Sequence, residues 1–189
     1  CLIAVYSRSG QRVWKREITT PAATNAQRVI SFDAQGNLIF GGANLTKVGP
    51  TGSEIWHTAA EALGTYSAMA MDASGAIFLG TSTGQITKLS VNGFGQWRRV
   101  VEATRTLSNG IPTLTTDSLG NVYTAANIAN QGAPERLVVK YSADGSEAWR
   151  LHVPTNIDAA IALVLKADGY QNLFLFGGDQ ADDRPYGIT

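Results

Sequence analysis

The chain has one cysteine and two methionines, and only 16% of its 189 residues are charged. With Cys1 alone no intrachain disulfide can form, so stability has to come from packing and hydrogen bonding. The fifteen basic and fifteen acidic residues cancel, and the basic footprint that nucleic-acid binding leaves is absent. No apolar run reaches the roughly 18 residues of a membrane-spanning helix. The apolar start, Cys1 to Tyr6, is too short for a signal peptide and has no basic flank before it. An N-terminal cysteine invites lipidation, but Leu2-Ile3-Ala4-Val5-Tyr6 runs directly into a strand pattern, so Cys1 reads as an ordinary small residue. Helical periodicity is nowhere sustained for three turns. Its best stretch, Thr58 to Leu63, is a connector of one turn.

What is present in quantity is turn chemistry. Twenty glycines and six prolines accompany 44% hydrophobic residues, a composition for a globular chain with many short elements. That favours an all-β class. A chain of this length forms one domain and can bury roughly 70% of its unfolded surface.

A repeat accounts for the composition. Trp14, Trp56, Trp97 and Trp149 each lie four residues after a glycine: Gly10, Gly52, Gly93 and Gly145. Nine residues before the last three tryptophans stand Lys47, Lys88 and Lys140, and Val5 holds that place in the first copy. Upstream lies a second anchor, Asp33-x-x-Gly36, Asp72-x-x-Gly75 and Asp117-x-x-Gly120, with a looser copy at Asp168-Gly169-Tyr170-Gln171. Asn37, Ala76, Asn121 and Asn172 follow the anchors, and an apolar run follows each of these.

Each copy reads as four strands, a to d, of four to six β-branched and aromatic residues bounded by Gly, Asp, Asn and Ser. The a–b and c–d reversals need a residue at positive φ, which glycine supplies, while Asp or Asn bonds the turn's own backbone. One tryptophan per sheet can bury about 150–250 Å² against the neighbouring sheet. These are the marks of an all-β fold, a β-propeller of four-stranded antiparallel blades. The expected frame is a half blade at 1–19, full blades at 27–60, 66–102 and 112–154, and a partial blade at 159–189. The sum is about four blade equivalents, and the pattern favours a segment of a larger propeller over a four-bladed ring.

Val138-Val-Lys-Tyr-Ser-Ala-Asp-Gly145-Ser-Glu-Ala-Trp149 and Asp117-Ser-Leu-Gly-Asn-Val-Tyr123 resemble the bacterial seven-bladed β-propeller repeats of secreted and surface proteins. The Gly-x-x-x-Trp element is also similar to the tryptophan-docking repeats of quinoprotein dehydrogenases and outer-membrane assembly lipoproteins. The resemblance covers about residues 1 to 180. It implies the fold, and a location that is extracellular, periplasmic or at the cell surface. Its implications for function are weak, because propellers host unrelated tasks.

No catalytic constellation stands out. His57 and His152 follow their tryptophans by one and three residues and do not share a site. Without clustered ligands no metal site is expected. A lone Asp before a strand is a structural turn rather than a calcium loop, which alternates several oxygen donors. Asp179, Asp182 and Asp183 read as a solvated loop. No Ser-His-Asp set, P-loop, GxSxG or nicotinamide fingerprint is present, and no cofactor is expected. The recurring lysines read as scaffold, a packing or edge-charge device.

Asymmetry points to a binding face. The a–b and c–d turns are constant in length and lie at one end of the blades, whereas the b–c and d–a connections at the other end vary. Asp to Lys is 14, 16 and 23 residues in successive blades, with the excess of the third in Asn127 to Arg136. Function concentrates on variable loops over a rigid scaffold. The expected ligand-binding residues are Arg105, Asn109, Asn127, Asn130, Gln131, Arg136, Asn156 and Asp158, whose donors suit sugars or carboxylates. The reading is a non-catalytic binding or scaffold propeller taking a polar small ligand, a glycan or a protein partner, with open blade edges as a route to association. The alternative is a fragment of a quinoprotein-like dehydrogenase, a lyase or a glycan-active propeller.

Overall fold

The computed structural model describes residues 2–17, 29–41, 44–58, 66–102, 106–107, 110–129, 135–154, 164–176 and 187–188. Among them there is no helix. The first sheet is a hairpin of β1 (Leu2–Tyr6) and β2 (Arg12–Glu17). Two four-stranded meanders follow: β3 (Val29–Phe32), β4 (Leu38–Gly41), β5 (Leu45–Val48) and β6 (Glu54–Thr58), then β7 (Tyr66–Met71), β8 (Ile77–Thr81), β9 (Gln85–Leu89) and β10 (Gly95–Val100). The next blade runs β12 (Thr113–Thr116), β13 (Val122–Ala129), β14 (Glu135–Tyr141) and β15 (Glu147–Pro154), and β11 (Thr106–Leu107) is added to its β13. The last sheet holds β16 (Val164–Ala167), β17 (Leu173–Phe176) and β18 (Gly187–Ile188). All pairs are antiparallel, as in β-propeller blades.

Alternation along the strands sets which blade each residue meets. Leu38, Phe40 and Val48 pack on Ile3 and Trp14 of the preceding hairpin. Ile39 and Leu45, with the opposite parity, join Tyr66, Ile77, Leu79 and Leu89 of the following blade. Phe78 and Ile86 then meet Val122, Leu137, Val139 and Tyr141, while Tyr123, Ala125 and Val138 meet Leu165, Leu173 and Leu175. In the three full blades strands b and c are therefore buried on both faces. The first strands β3, β7, β12 and β16 adjoin in series, which makes them the innermost. Thr116 Oγ1 donates to the Met71 carbonyl at 2.8 Å, bridging two of them.

The a–b turns explain the recurring aspartate. Asp33 Oδ1 accepts from the backbone N–H of Gln35 and Asn37 at 3.0 and 2.8 Å, and its Oδ2 accepts from the Asn37 amide at 2.8 Å. Asp117 and Asp168 repeat this with Asn121 and Asn172. Asp72, followed by Ala76, takes the Ser74 hydroxyl instead. Gly36, Gly75 and Gly120 close the turns at φ of 77, 83 and 76°. In the fourth copy Gln171 stands at that place with φ 68°, so the looser sequence keeps the turn at a conformational cost.

The recurring lysines are not edge devices. Lys47 Nζ lies 2.9 Å from Asp33, with side chains only 6% and 1% exposed. Strand c is thereby tied to the a–b turn. Lys140 lies 3.7 Å from Asp117, whose Oδ2 also accepts from the Tyr123 hydroxyl at 2.8 Å. Lys88 instead crosses to the next blade and donates to the Ala143 carbonyl at 2.8 Å.

Candidate binding face

The Gly-x-x-x-Trp element joins the blades, and this joint holds the constant end together. Trp14 Nε1 donates to the Pro50 carbonyl at 2.9 Å, Trp56 to Val91 at 3.1 Å and Trp97 to Ala143 at 3.1 Å. Each acceptor lies two residues before the glycine of the next blade's c–d turn. The glycine itself sits under the indole: a Cβ on Gly52, Gly93 or Gly145 would lie 3.0, 3.2 or 2.8 Å from the ring of Trp14, Trp56 or Trp97. All three glycines have φ near +80°, which glycine adopts most readily. The glycine and the tryptophan of one motif thus serve different joints. Arg99 Nε adds a bond to the Gly145 carbonyl between the second and third full blades, and Arg16 bonds Glu54 between the first hairpin and the first full blade.

With the constant end occupied by these joints, the opposite end carries the variation. Between the second and third full blades the d–a connection folds onto the b–c turn. Val101 N–H donates to the Gly84 carbonyl at 3.0 Å, and Ile111 N–H to the Thr81 carbonyl at 3.0 Å. Val101 and Ile111 are fully buried. Ser67 Oγ ties the Ile111 carbonyl to strand a at 2.7 Å. Gly110, at φ +64°, lies so close to Ser82 that a Cβ would stand 2.5 Å from its Cα. Thr106 and Leu107 then form β11 against Ala129 and Ile128, on the extension of β13 beyond β12.

This extension changes the place of two expected binding residues. Asn127 and Arg136 stand directly opposite each other in the β13/β14 ladder rather than in a loop. The physical reason is that β11 supplies the pairing edge that keeps β13 extended past Ala125. Both side chains are buried, 8% and 4% exposed, and both are engaged by neighbouring groups. By parity they share the side of Tyr123, Ala125 and Val138, toward the last sheet. On the opposite face of the same ladder, His152 Nδ1 lies 3.3 Å from Glu135. His57 pairs with Glu54 at 2.7 Å, so each histidine is occupied by a carboxylate of its own blade. Arg105, Asn109, Asn130, Gln131, Asn156 and Asp158 lie outside the described residues, as do Asp179, Asp182 and Asp183.

Sequence reasoning missed the platform of Ser67, Thr81, Gly84 and Ile111. Thr81-Ser-Thr-Gly84 is a readable turn, but nothing local shows that a distant connection folds onto it. The arrangement fixes a guanidinium and an amide, both buried, on facing strands at the head of the β13–β14 hairpin. Among the described residues no three His, Cys, Asp or Glu side chains are grouped to hold a metal.

No protein-family model matches the chain, and no curated protein matches it in sequence. Solved structures do. U3-55K is similar over 98% of this chain and 57% of its own, at TM-score 0.64 and 13% identity. Raptor from Chaetomium thermophilum matches over 100% of this chain and 19% of its own, at TM-score 0.59 and 12% identity. A protein of unknown function from Bacteroides caccae matches over 86% and 55%, at TM-score 0.55 and 13% identity. The chain therefore spans a little over half of two of these proteins and about a fifth of the third. The likeness is one of fold: this chain is built of four-stranded β-propeller blades.

Proposed function

We propose that the chain is a non-catalytic binding and scaffold module that takes a polar ligand, of sugar or carboxylate chemistry, at the b–c and d–a end of its blades. The observation that carries this reading is the Asn127–Arg136 pair, held opposite each other at the head of the longest hairpin. Both side chains are buried and already engaged, so they brace the head of the hairpin, and the ligand would meet the loop positions held beside it. The neighbouring positions Arg105, Asn109, Asn130, Gln131, Asn156 and Asp158 complete the proposed set in sequence. The resemblance to repeats of secreted bacterial propellers, tryptophan-docking ones included, supports a setting outside the cytoplasm.

Chemical-shift titration of the 15N-labelled chain with glucuronate and with neutral oligosaccharides tests the reading. Shifts should concentrate at residues 126–137 and 106–112, and be smaller for the Asp-x-x-Gly turns. Asn130→Ala with Gln131→Ala should abolish them while leaving the melting temperature in place. Arg136→Lys, which keeps the charge but loses the fork that braces the hairpin head, should weaken the binding of both ligands. Shifts confined to Gly36, Gly75 and Gly120 and their neighbours would place the site at the wrong end.

A further inference from the structure

Strand c of the second full blade carries two polar side chains that the fold leaves unpaired. Gln85 Oε1 and Thr87 Oγ1 are buried and make no hydrogen bond among the described residues. Thr87 as a whole is only 5% exposed. Most buried polar atoms have a partner, and one without forfeits the bonds it makes with water in the unfolded chain. The third full blade shows that the fold does not call for polarity here. Its strand c holds Leu137 and Val139 at the same steps, three and one residues before the recurring lysine. Both are fully buried and pack on the blade before them.

Alternation along β9 puts Gln85 and Thr87 on the face of Leu89, toward the first full blade. The facing wall, Val29, Ile39 and Leu45, is apolar, and its side chains offer neither donor nor acceptor. In the β9/β10 ladder Arg98 stands opposite Thr87, and Val100 opposite Gln85. Trp97 turns to the third full blade, so its neighbour Arg98 shares the face of the unpaired pair. Burial pushes the Tyr66 hydroxyl up and the charge of Arg98 opposes it, and Tyr66 packs in that same joint. Arg98 is exposed and Gln85 half-buried, so the two unpaired atoms lie just under the outer rim of the crevice. Side chains at such a rim change rotamer within nanoseconds, which uncovers what lies beneath them.

We propose that this crevice between the first and second full blades binds a small hydroxycarboxylate. One hydroxyl of the ligand donates to Gln85 Oε1 and accepts from Thr87 Oγ1, and its carboxylate lies on the Arg98 guanidinium. A hydroxyl is donor and acceptor at once, and a guanidinium matches a carboxylate with parallel bonds. A hydroxyl alone or a carboxylate alone satisfies one half of the set. The site lies on a different blade boundary from the Asn127–Arg136 hairpin head, so the two readings stand or fall separately.

Titration of the 15N-labelled chain with glycerate, and with propanoate and glycerol as its two halves, tests the proposal. Glycerate should shift the Gln85 side-chain amide and the Thr87 and Arg98 signals, and bind at least about tenfold more tightly than either half. Thr87→Val and Gln85→Leu, which copy the third full blade, should each remove that margin while the melting temperature holds or rises. An unpaired polar atom is there replaced by one that packs. Thr87→Ser keeps the hydroxyl and should keep the margin. Arg98→Gln should bring glycerate down to the level of glycerol. Equal binding of all three probes would overturn the proposal. So would a fall in melting temperature on Thr87→Val that Thr87→Ser does not show, since the hydroxyl would then be held within the fold. Shifts at residues 126–137 with none at Gln85, Thr87 and Arg98 would also overturn it, and would leave the reading of the hairpin head in place.

Discussion

Replacing Lys47 by Met removes one charge from a pair that water does not reach. Asp33 would keep its bonds from Gln35 and Asn37, but those donors are neutral, and the carboxylate is 1% exposed. Breaking a buried pair from one side costs about 3–5 kcal/mol, because a charge is left uncompensated. Replacing both members, as Asp33→Asn with Lys47→Met, should cost less than the two single changes added together, since no charge stays behind. The acid limb gives a second reading. Burial pushes the Asp33 carboxyl up, but hydrogen bonds from Lys47 and Asn37 outweigh it and hold the group at about 2, below its ordinary 3.8. The native state therefore binds its proton less readily than the unfolded chain. The stabilisation is present above pH 3.8 and is lost as pH falls through about 2. Urea unfolding of wild type, both singles and the double, at pH 7 and again on the acid limb, measures the coupling. Lys47→Met should also flatten the acid limb. A cost under about 1 kcal/mol for Lys47→Met, or strict additivity in the double, would refute the buried-pair argument.

The same reasoning ranks the third full blade lower. Lys140→Met should cost less than Lys47→Met in the same urea assay, because Asp117 retains the Tyr123 hydroxyl and its lysine is farther away. Trp97→Ala should destabilise by about 3–5 kcal/mol, and a loss under about 1 kcal/mol would mean the indole does not wedge the blades. Gln171→Gly should raise stability by up to about 1 kcal/mol by relieving a positive φ, read as a higher melting temperature; a fall would contradict the turn assignment. Changing His57 and His152 together to Gln should move stability by less than about 1 kcal/mol, since both pair with carboxylates at the surface.

Local chemistry was readable in the sequence, and non-local placement was not. The Asp-x-x-Gly turns declare themselves because aspartate and glycine act within five residues on their own backbone. The blades follow from the strand runs between such turns. The lysines recur with the aspartates, yet their pairing depends on strand c lying beside the a–b turn, which only register reveals. Asn127-Ile-Ala129 reads as loop because its polar and small residues carry little strand preference. The tertiary contact with β11, from a connection 20 residues upstream, makes it strand. Of the expected binding residues, Asn127 and Arg136 are brought together.

The central claim is that the glycine and the tryptophan of each Gly-x-x-x-Trp element act in different joints, the glycine receiving the indole of the preceding blade. Gly93→Ala separates the two alternatives in a single 1H–15N spectrum of the indole region. The added Cβ would meet Trp56 at 3.2 Å, while Trp97, four residues on in the same motif, docks on the turn at Gly145. The account predicts that the Trp56 indole N–H shifts and loses protection from hydrogen exchange, and that the Trp97 signal stays in place. A shift of Trp97 with Trp56 unmoved would contradict it.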